Sequence, residues 1–230
     1  MKIKLVVFDI AGTTVKDRGE IAGAFQSALA DFGYQIPIEK INLFMGYHKP
    51  EAIKKILNEF ENDKSLLNEA HIQRIYKKFL ILMVQYYEQT TELEPLPFAE
   101  ELFDFLHKNG IKVALDTGFS KEITDIIIER LGWLKNKLID YYICSDEVSL
   151  GRPHPLMIEN VMQHFGIINA SEVIKVGDTE VDVNEGLNAG CKFSIGITTG
   201  AFSEDQLKPY NPHFIINNLE EMIPILNPLL

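Results

Sequence analysis

The chain reads as an α/β protein: a doubly wound parallel sheet carrying a small helical cap. Three observations predict this. Short Val- and Ile-rich runs recur along the sequence, each followed by turn residues and then a helical pattern, the alternation that builds a doubly wound core. These runs are apolar throughout instead of alternating with polar residues, as strands covered on both faces are. One long stretch near the start holds only helix-period residues, so something is inserted into the alternation.

Taken in order, "KLVVFD" (residues 4–9) is the first strand. Residues 16–92 contain no convincing strand. There "IAGAFQSALADFG" repeats apolar residues at helical spacing and stops at Gly33. "KPEAIKKILNEF" sets Pro50 in a first helical turn, where the missing N–H would be unpaired anyway. "NEAHIQRIYKKFLILMVQYYEQ" is a longer amphipathic pattern, and the prolines of "ELEPLPF" make a stiff return. Strands resume with "IKVALD" (111–116), "DYYICS" (140–145), "VIKVGD" (173–178) and "KFSIGI" (192–197), and "HFIIN" (213–217) is a weaker sixth. The expected organisation is a core of residues 1–15 and 93–230 with a cap of residues 16–92. A cleft between them should lie over the carboxyl ends of the strands.

At 230 residues the chain suffices for a core domain with a modest insert. A formal net charge of -11 argues against nucleic acid and anionic membranes as partners, because these attract basic patches. A small anionic substrate stays open, since a local cation cluster or a metal can hold one. The two cysteines, Cys144 and Cys191, form no CxxC pair, so zinc and dithiol redox chemistry are not expected. Buried thiols in a reducing cytosol are the plain reading. The longest apolar run, "FLILMV" (79–84), is too short to span a bilayer. A strand beginning so near the N-terminus leaves no room for a signal peptide, so a cytoplasmic monomer or homodimer is expected.

Asp9 ends the first strand, where α/β sheets bind ligands; a structural aspartate capping the next turn is the plainer alternative. "VGDTEVDVNEG" adds Asp178 at another strand end and Asp182 four residues on. Carboxylates on neighbouring strand ends make an oxygen-rich site suited to Mg²⁺. An EF-hand fails here, because its sixth and twelfth positions would be Val183 and Ala189. "LDTGFS" offers the Thr117 hydroxyl and, around Gly118, backbone N–H groups to phosphate oxygens, although Thr-Gly is also an ordinary turn. "SLGRPHP" places Arg152 in a proline-held loop, where its guanidinium either grips a phosphoryl oxygen or is simply exposed.

In their order, "DIAGT", Thr117, Arg152 and "GDTEVD" resemble the motifs of the haloacid dehalogenase superfamily. The resemblance covers the whole chain and implies a Rossmann-like core with a cap where this sequence has its helical stretch. It further implies that Asp9 is a nucleophile forming an aspartyl-phosphate, with Thr117, Gly118 and Arg152 binding the phosphoryl group. Mg²⁺ would be held by Asp9, the main-chain carbonyl of Ala11 and Asp178, with Asp182 a nearby ligand or an orienting carboxylate.

Most phosphatases of that superfamily carry an acid–base aspartate where Ala11 stands, and alanine moves no protons. The enzyme is then dead, or another group supplies the acid, or the leaving group needs none. "MGYHKPEAI", with Gly46, His48 and Lys49, together with "DIAGT", "GRPHP" and "KVGDT", resembles the phosphonatase branch, whose substrate is phosphonoacetaldehyde. There a cap lysine condenses with the substrate aldehyde. Such an imine would take up the electron pair of a breaking carbon–phosphorus bond, so no alkoxide would need protonation. Lys49 could instead bind a substrate anion, or be a solvated lysine at a helix start. One turn beyond it, where that branch has a proton-shuttling histidine, stands Ala52; His48 is a possible substitute. The expectation is a Mg²⁺-dependent hydrolase of a small phosphonate. Its rivals are a phosphatase of small monoesters such as phosphoglycolate and a non-catalytic phosphate or effector binder.

Overall fold

The computed structural model describes residues 2–230. β1 (Leu5–Asp9) is followed by four helices, α1 (Glu20–Ala30), α2 (Ile38–Asn42), α3 (Lys49–Phe60) and α4 (Glu69–Gln89). The chain then alternates: α5 (Ala99–Lys108), β2 (Lys112–Thr117), α6 (Lys121–Leu131), β3 (Tyr141–Cys144), α7 (Leu156–His164), β4 (Val173–Gly177), α8 (Glu180–Asn188) and β5 (Phe193–Ile197). The short α9 (Glu204–Leu207), β6 (Phe214–Ile216) and α10 (Met222–Leu226) complete it. The strands form one six-stranded sheet in the order β3-β2-β1-β4-β5-β6, and every pairing is parallel.

The continuous apolar runs have a direct cause. All five residues of β1 are buried, and because successive side chains point to opposite faces, each face needs its own apolar set. Val6 and Phe8 join the larger core, where the Phe8 ring meets Phe103 of α5 edge-on at 5.5 Å. Leu5 and Val7 pack on the other face with Met157, Ile158 and Val161 of α7. Each such side chain, fully buried, stabilises the fold by about 1.5–3 kcal/mol.

The helical insert is built by the same rule with a different period. Ile72, Ile75, Phe79 and Met83 fall on one face of α4 and are buried, with the Phe79 ring 4.8 Å from Phe25 of α1. Asn68 caps α4 by accepting a hydrogen bond from the His71 N–H. α3 begins at Lys49 and carries its proline in the first turn.

The chain leaves and re-enters the core along paired segments. Leu96 N–H donates to Thr14 O at 2.8 Å and Lys16 N–H to Glu94 O at 3.2 Å, flanking an antiparallel bridge between Val15 and Pro95. Lys16 Nζ meets Glu94 at 2.9 Å, and Arg18 pairs with the same carboxylate. Among the described residues, no helix is long and apolar enough to cross a membrane. Cys144 and Cys191 are both buried free thiols.

Candidate active site

With β1 between β2 and β4, the strand order reverses at the centre of the sheet, and the crevice outside the strand carboxyl ends is where such folds bind ligands. Asp9, the last residue of β1, and Asp178, the residue after β4, both stand there, each at most 5% exposed. The turn after Asp9 is closed by N–H donors to the carbonyls of Ile10 and Val15, so it does not consume the Ala11 carbonyl. Asp178 accepts hydrogen bonds from the Ala201 N–H at 2.6 Å and from Thr13 Oγ1 at 3.4 Å. Burial, with Asp182 and Asp116 nearby, pushes the Asp9 carboxyl up to about 7 against the pull of Arg152. Burial and the charge of Asp9 hold Asp178 well above the usual carboxylate range.

Arg152 is fully buried, not the exposed loop residue that its sequence context also allowed. Its Nη1 lies 2.8 Å from Asp9 Oδ1 and also pairs with Asp182. Asp182 in turn caps α8, accepting from the Thr179 N–H at 3.2 Å and from the Thr179 hydroxyl. Behind these groups sits a cation that sequence reading did not single out. Lys175 of β4, wholly buried, pairs with Asp116 of β2, with Asp182 at 3.3 Å and with Glu185 of α8 at 3.1 Å. Burial raises the Asp182 carboxyl, yet Arg152 and Lys175 overcome it and hold Asp182 below its ordinary value. "VIKVGD" signalled a charge inside an apolar strand, but not which partners it meets.

The insert closes over this floor. A small cavity is lined from the core by Asp9, Ala11, Thr117, Gly118, Arg152 and Asp178, and from the insert side by Asp17, Met45, Gly46 and Lys49. His48 and Asp182 are not among its lining residues. Thr117 Oγ1 accepts from the Phe119 N–H at 3.1 Å, leaving its own proton for a ligand. Lys49 is 4% exposed, so it is not a solvated lysine at a helix start. Its Nζ lies 5.2 Å from the centre of the Phe119 ring, and among the described residues no carboxylate is within ion-pairing distance of it. Burial and then Arg152 bring its pKa down to about 8, against the opposing pull of Asp9.

Contact between insert and core is close enough to exclude side chains. A Cβ on Gly118 would lie 2.5 Å from Gly46 O and 2.7 Å from Tyr47 O, and one on Gly46, at φ +82°, would strike Thr179 and Val181. The Tyr47 hydroxyl donates to Glu180 Oε1 at 2.8 Å, tying the insert to the start of α8. His48 packs beside Gly151, next to Arg152.

A family model described as haloacid dehalogenase-like hydrolase matches residues 6–195. The chain belongs to that family. Phosphonoacetaldehyde hydrolase of Bacillus cereus is 31% identical to this hydrolase over 210 residues, 87% of this chain and 78% of the relative. The bifunctional phosphonoacetaldehyde hydrolase/aminoethylphosphonate transaminase of Clostridioides difficile (strain 630) is 32% identical over 209 residues. That alignment takes in 87% of this chain, which spans only 32% of the bifunctional protein's length. In fold, the hydrolase matches a phosphonoacetaldehyde hydrolase-like protein from Oleispira antarctica with a TM-score of 0.84 at 23% identity, covering 100% of this chain and 93% of that one.

The hydrolase has the donors for a divalent cation. Asp9, Asp116 and Asp182 bring carboxylate oxygens within 4.8 Å of one another, a buried group consistent with the metal site of such enzymes. Within that group, however, Arg152 and Lys175 already neutralise Asp182 and Asp116. Asp178, by contrast, has no cation within ion-pairing distance among the described residues, and the charge of Asp9 raises its carboxyl; both line the cavity with Ala11, whose carbonyl the turn leaves uncommitted. Oxygen donors of this kind suit a hard cation.

Proposed function

We propose that this protein is a Mg²⁺-dependent phosphonatase-like hydrolase acting on a small phosphonate aldehyde such as phosphonoacetaldehyde. The observation that carries the reading is the pairing of Lys49 and Ala11 across one cavity. A buried amine without an anionic partner faces a nucleophilic carboxylate whose usual acid–base neighbour is missing. The relatives named for phosphonoacetaldehyde hydrolysis support the same substrate class.

In this reading Lys49, its pKa at about 8, supplies neutral amine near neutral pH and condenses with the aldehyde to an iminium. Arg152 and the Thr117 hydroxyl hold the phosphonate oxygens in line with Asp9. Asp9 attacks phosphorus, the carbon–phosphorus bond breaks, and its electron pair enters the iminium to give a neutral enamine. No alkoxide forms, so the alanine at position 11 is tolerated. The enamine takes a proton from solvent at carbon, and water then hydrolyses the resulting iminium and the aspartyl-phosphate. Asp9, the Ala11 carbonyl and Asp178 would hold Mg²⁺, which when bound offsets the repulsion between the carboxylate and the phosphonate. Asp182 is the orienting carboxylate for Arg152 in this scheme.

Borohydride added during turnover of phosphonoacetaldehyde should leave the substrate's two-carbon skeleton on Lys49, detected by peptide mass. Turnover with Lys49 unmodified would reject the imine and leave Lys49 as an anion-binding group, the role it would have in a phosphatase of small monoesters.

A further inference from the structure

Five charged side chains line the cavity, and the proposed chemistry uses four of them. Asp9 attacks, Lys49 condenses, Arg152 binds oxygen and Asp178 holds the cation. The fifth is Asp17, which stands in the segment between the turn after β1 and the start of α1. Resting on the phosphonatase reading, we infer that Asp17 is the acid–base residue for the Lys49 condensation, doing at the insert side what neither Ala11 nor Ala52 can do.

The chemistry needs such a group. Addition of the Lys49 amine to the aldehyde gives a carbinolamine, and its hydroxyl is a poor leaving group unless protonated. Asp17 donates its proton to that oxygen, the carbon–oxygen bond breaks, water departs, and the nitrogen lone pair completes the C=N bond. The Asp17 carboxylate then faces the iminium cation. On the product side, water adds to the iminium carbon, Asp17 takes a proton from that water, and the carbinolamine collapses to aldehyde and free amine. Protons balance within the pair of steps.

The surroundings fit the task. The Gly19 N–H donates to Asp17 Oδ1 at 2.9 Å, and the Ile21 N–H and the Glu20 carboxyl also hydrogen-bond the group, which fixes its position. Burial, together with side-chain contact from the Glu20 carboxyl, raises Asp17 to about 6, so a proton is held close to neutral pH. Its charge is felt by Glu20 of α1, Lys49 of α3 and Tyr87 of α4, and it shares the cavity lining with Lys49, Arg152, Asp9 and Asp178. Its sequence neighbours Lys16 and Arg18 are engaged with Glu94. Glu20 accepts from the Tyr86 hydroxyl at 3.1 Å and from the Arg18 N–H at 2.6 Å, which holds a second carboxyl beside Asp17.

The test combines two variants with rapid-quench borohydride trapping. Asp17→Asn keeps the acceptor for the Gly19 N–H and should preserve the melting temperature. Formation of the trapped Lys49 adduct, and kcat, should fall by about 10²-fold or more while KM stays within a few-fold. Formate should restore part of the lost rate, as should Asp17→Glu. Wild-type rates in Asp17→Asn would overturn the proposal. So would a slow Asp17→Asn that neither formate nor the glutamate variant improves, because the role would then be structural. Absence of any Lys49 adduct in the turning-over wild type would instead overturn the imine reading itself, and the Asp17 assignment with it.

Discussion

Lys49 and Arg152 show how little a side chain's identity says without its surroundings. As sequence, each is a cation near a proline; folded, both are nearly or fully buried in a cavity shared with Asp9 and Asp178. Arg152 stays charged because Asp182 and Asp9 flank it, whereas Lys49 has no such partner and loses proton affinity to burial and to Arg152. A small acylating reagent should therefore modify Lys49 with a midpoint near pH 8, while ordinary lysines follow about 10.4. Peptide mass spectrometry across a pH series reads this directly, and a Lys49 midpoint coinciding with the other lysines would contradict it. Asp17 illustrates the opposite limit of legibility. In "VKDRGE" it belongs to a charged run that looks like a solvated linker, and nothing local marks it as facing a cavity.

The elements were the most legible level. All six apolar runs appear as strands within about two residues of their expected ends, because a strand covered on both faces must be apolar along its whole length. Helix α3 starts at Lys49 next to its proline, as the sequence implied. What the sequence could not convey was how closely these elements meet. Gly118 follows β2 and lies under the Gly46 and Tyr47 carbonyls with no room for a methyl group. Replacing Gly118 by alanine sets a Cβ against rigid backbone, and overpacking of that kind costs about 1–3 kcal/mol. The strain is relieved by lifting the insert, so kcat/KM should fall by about 10- to 100-fold while far-ultraviolet dichroism is unchanged. Unaltered kinetics would show that the seam has slack.

For the whole molecule, the dominant feature is acidic charge gathered under the crevice. Asp9, folded, keeps its proton up to about 7 and in the unfolded chain loses it near 4. The folded form thus binds more protons in that window, and its stability falls as pH rises through it. Asp178 shifts in the same direction. Mg²⁺ should cancel this penalty. At a concentration 100 times its Kd a ligand adds about 2.7 kcal/mol, and a chain of this size gains about 2–4 °C per kcal/mol. Melting curves at pH 6 and 8 should show the larger Mg²⁺ effect at pH 8, and Asp178→Asn should abolish it. An equal shift in that variant would move the cation elsewhere. The Lys175 network belongs to this scale too: its partners come from β2 and α8, so only the assembled sheet reveals them. One last consequence comes from the stitched crossing at Val15 and Pro95. Two segments of chain fastened side by side give the insert a fixed attachment to the core. Asp17 sits two residues from it, so a substitution that loosens the insert around Lys49 should disturb the amine more than the acid.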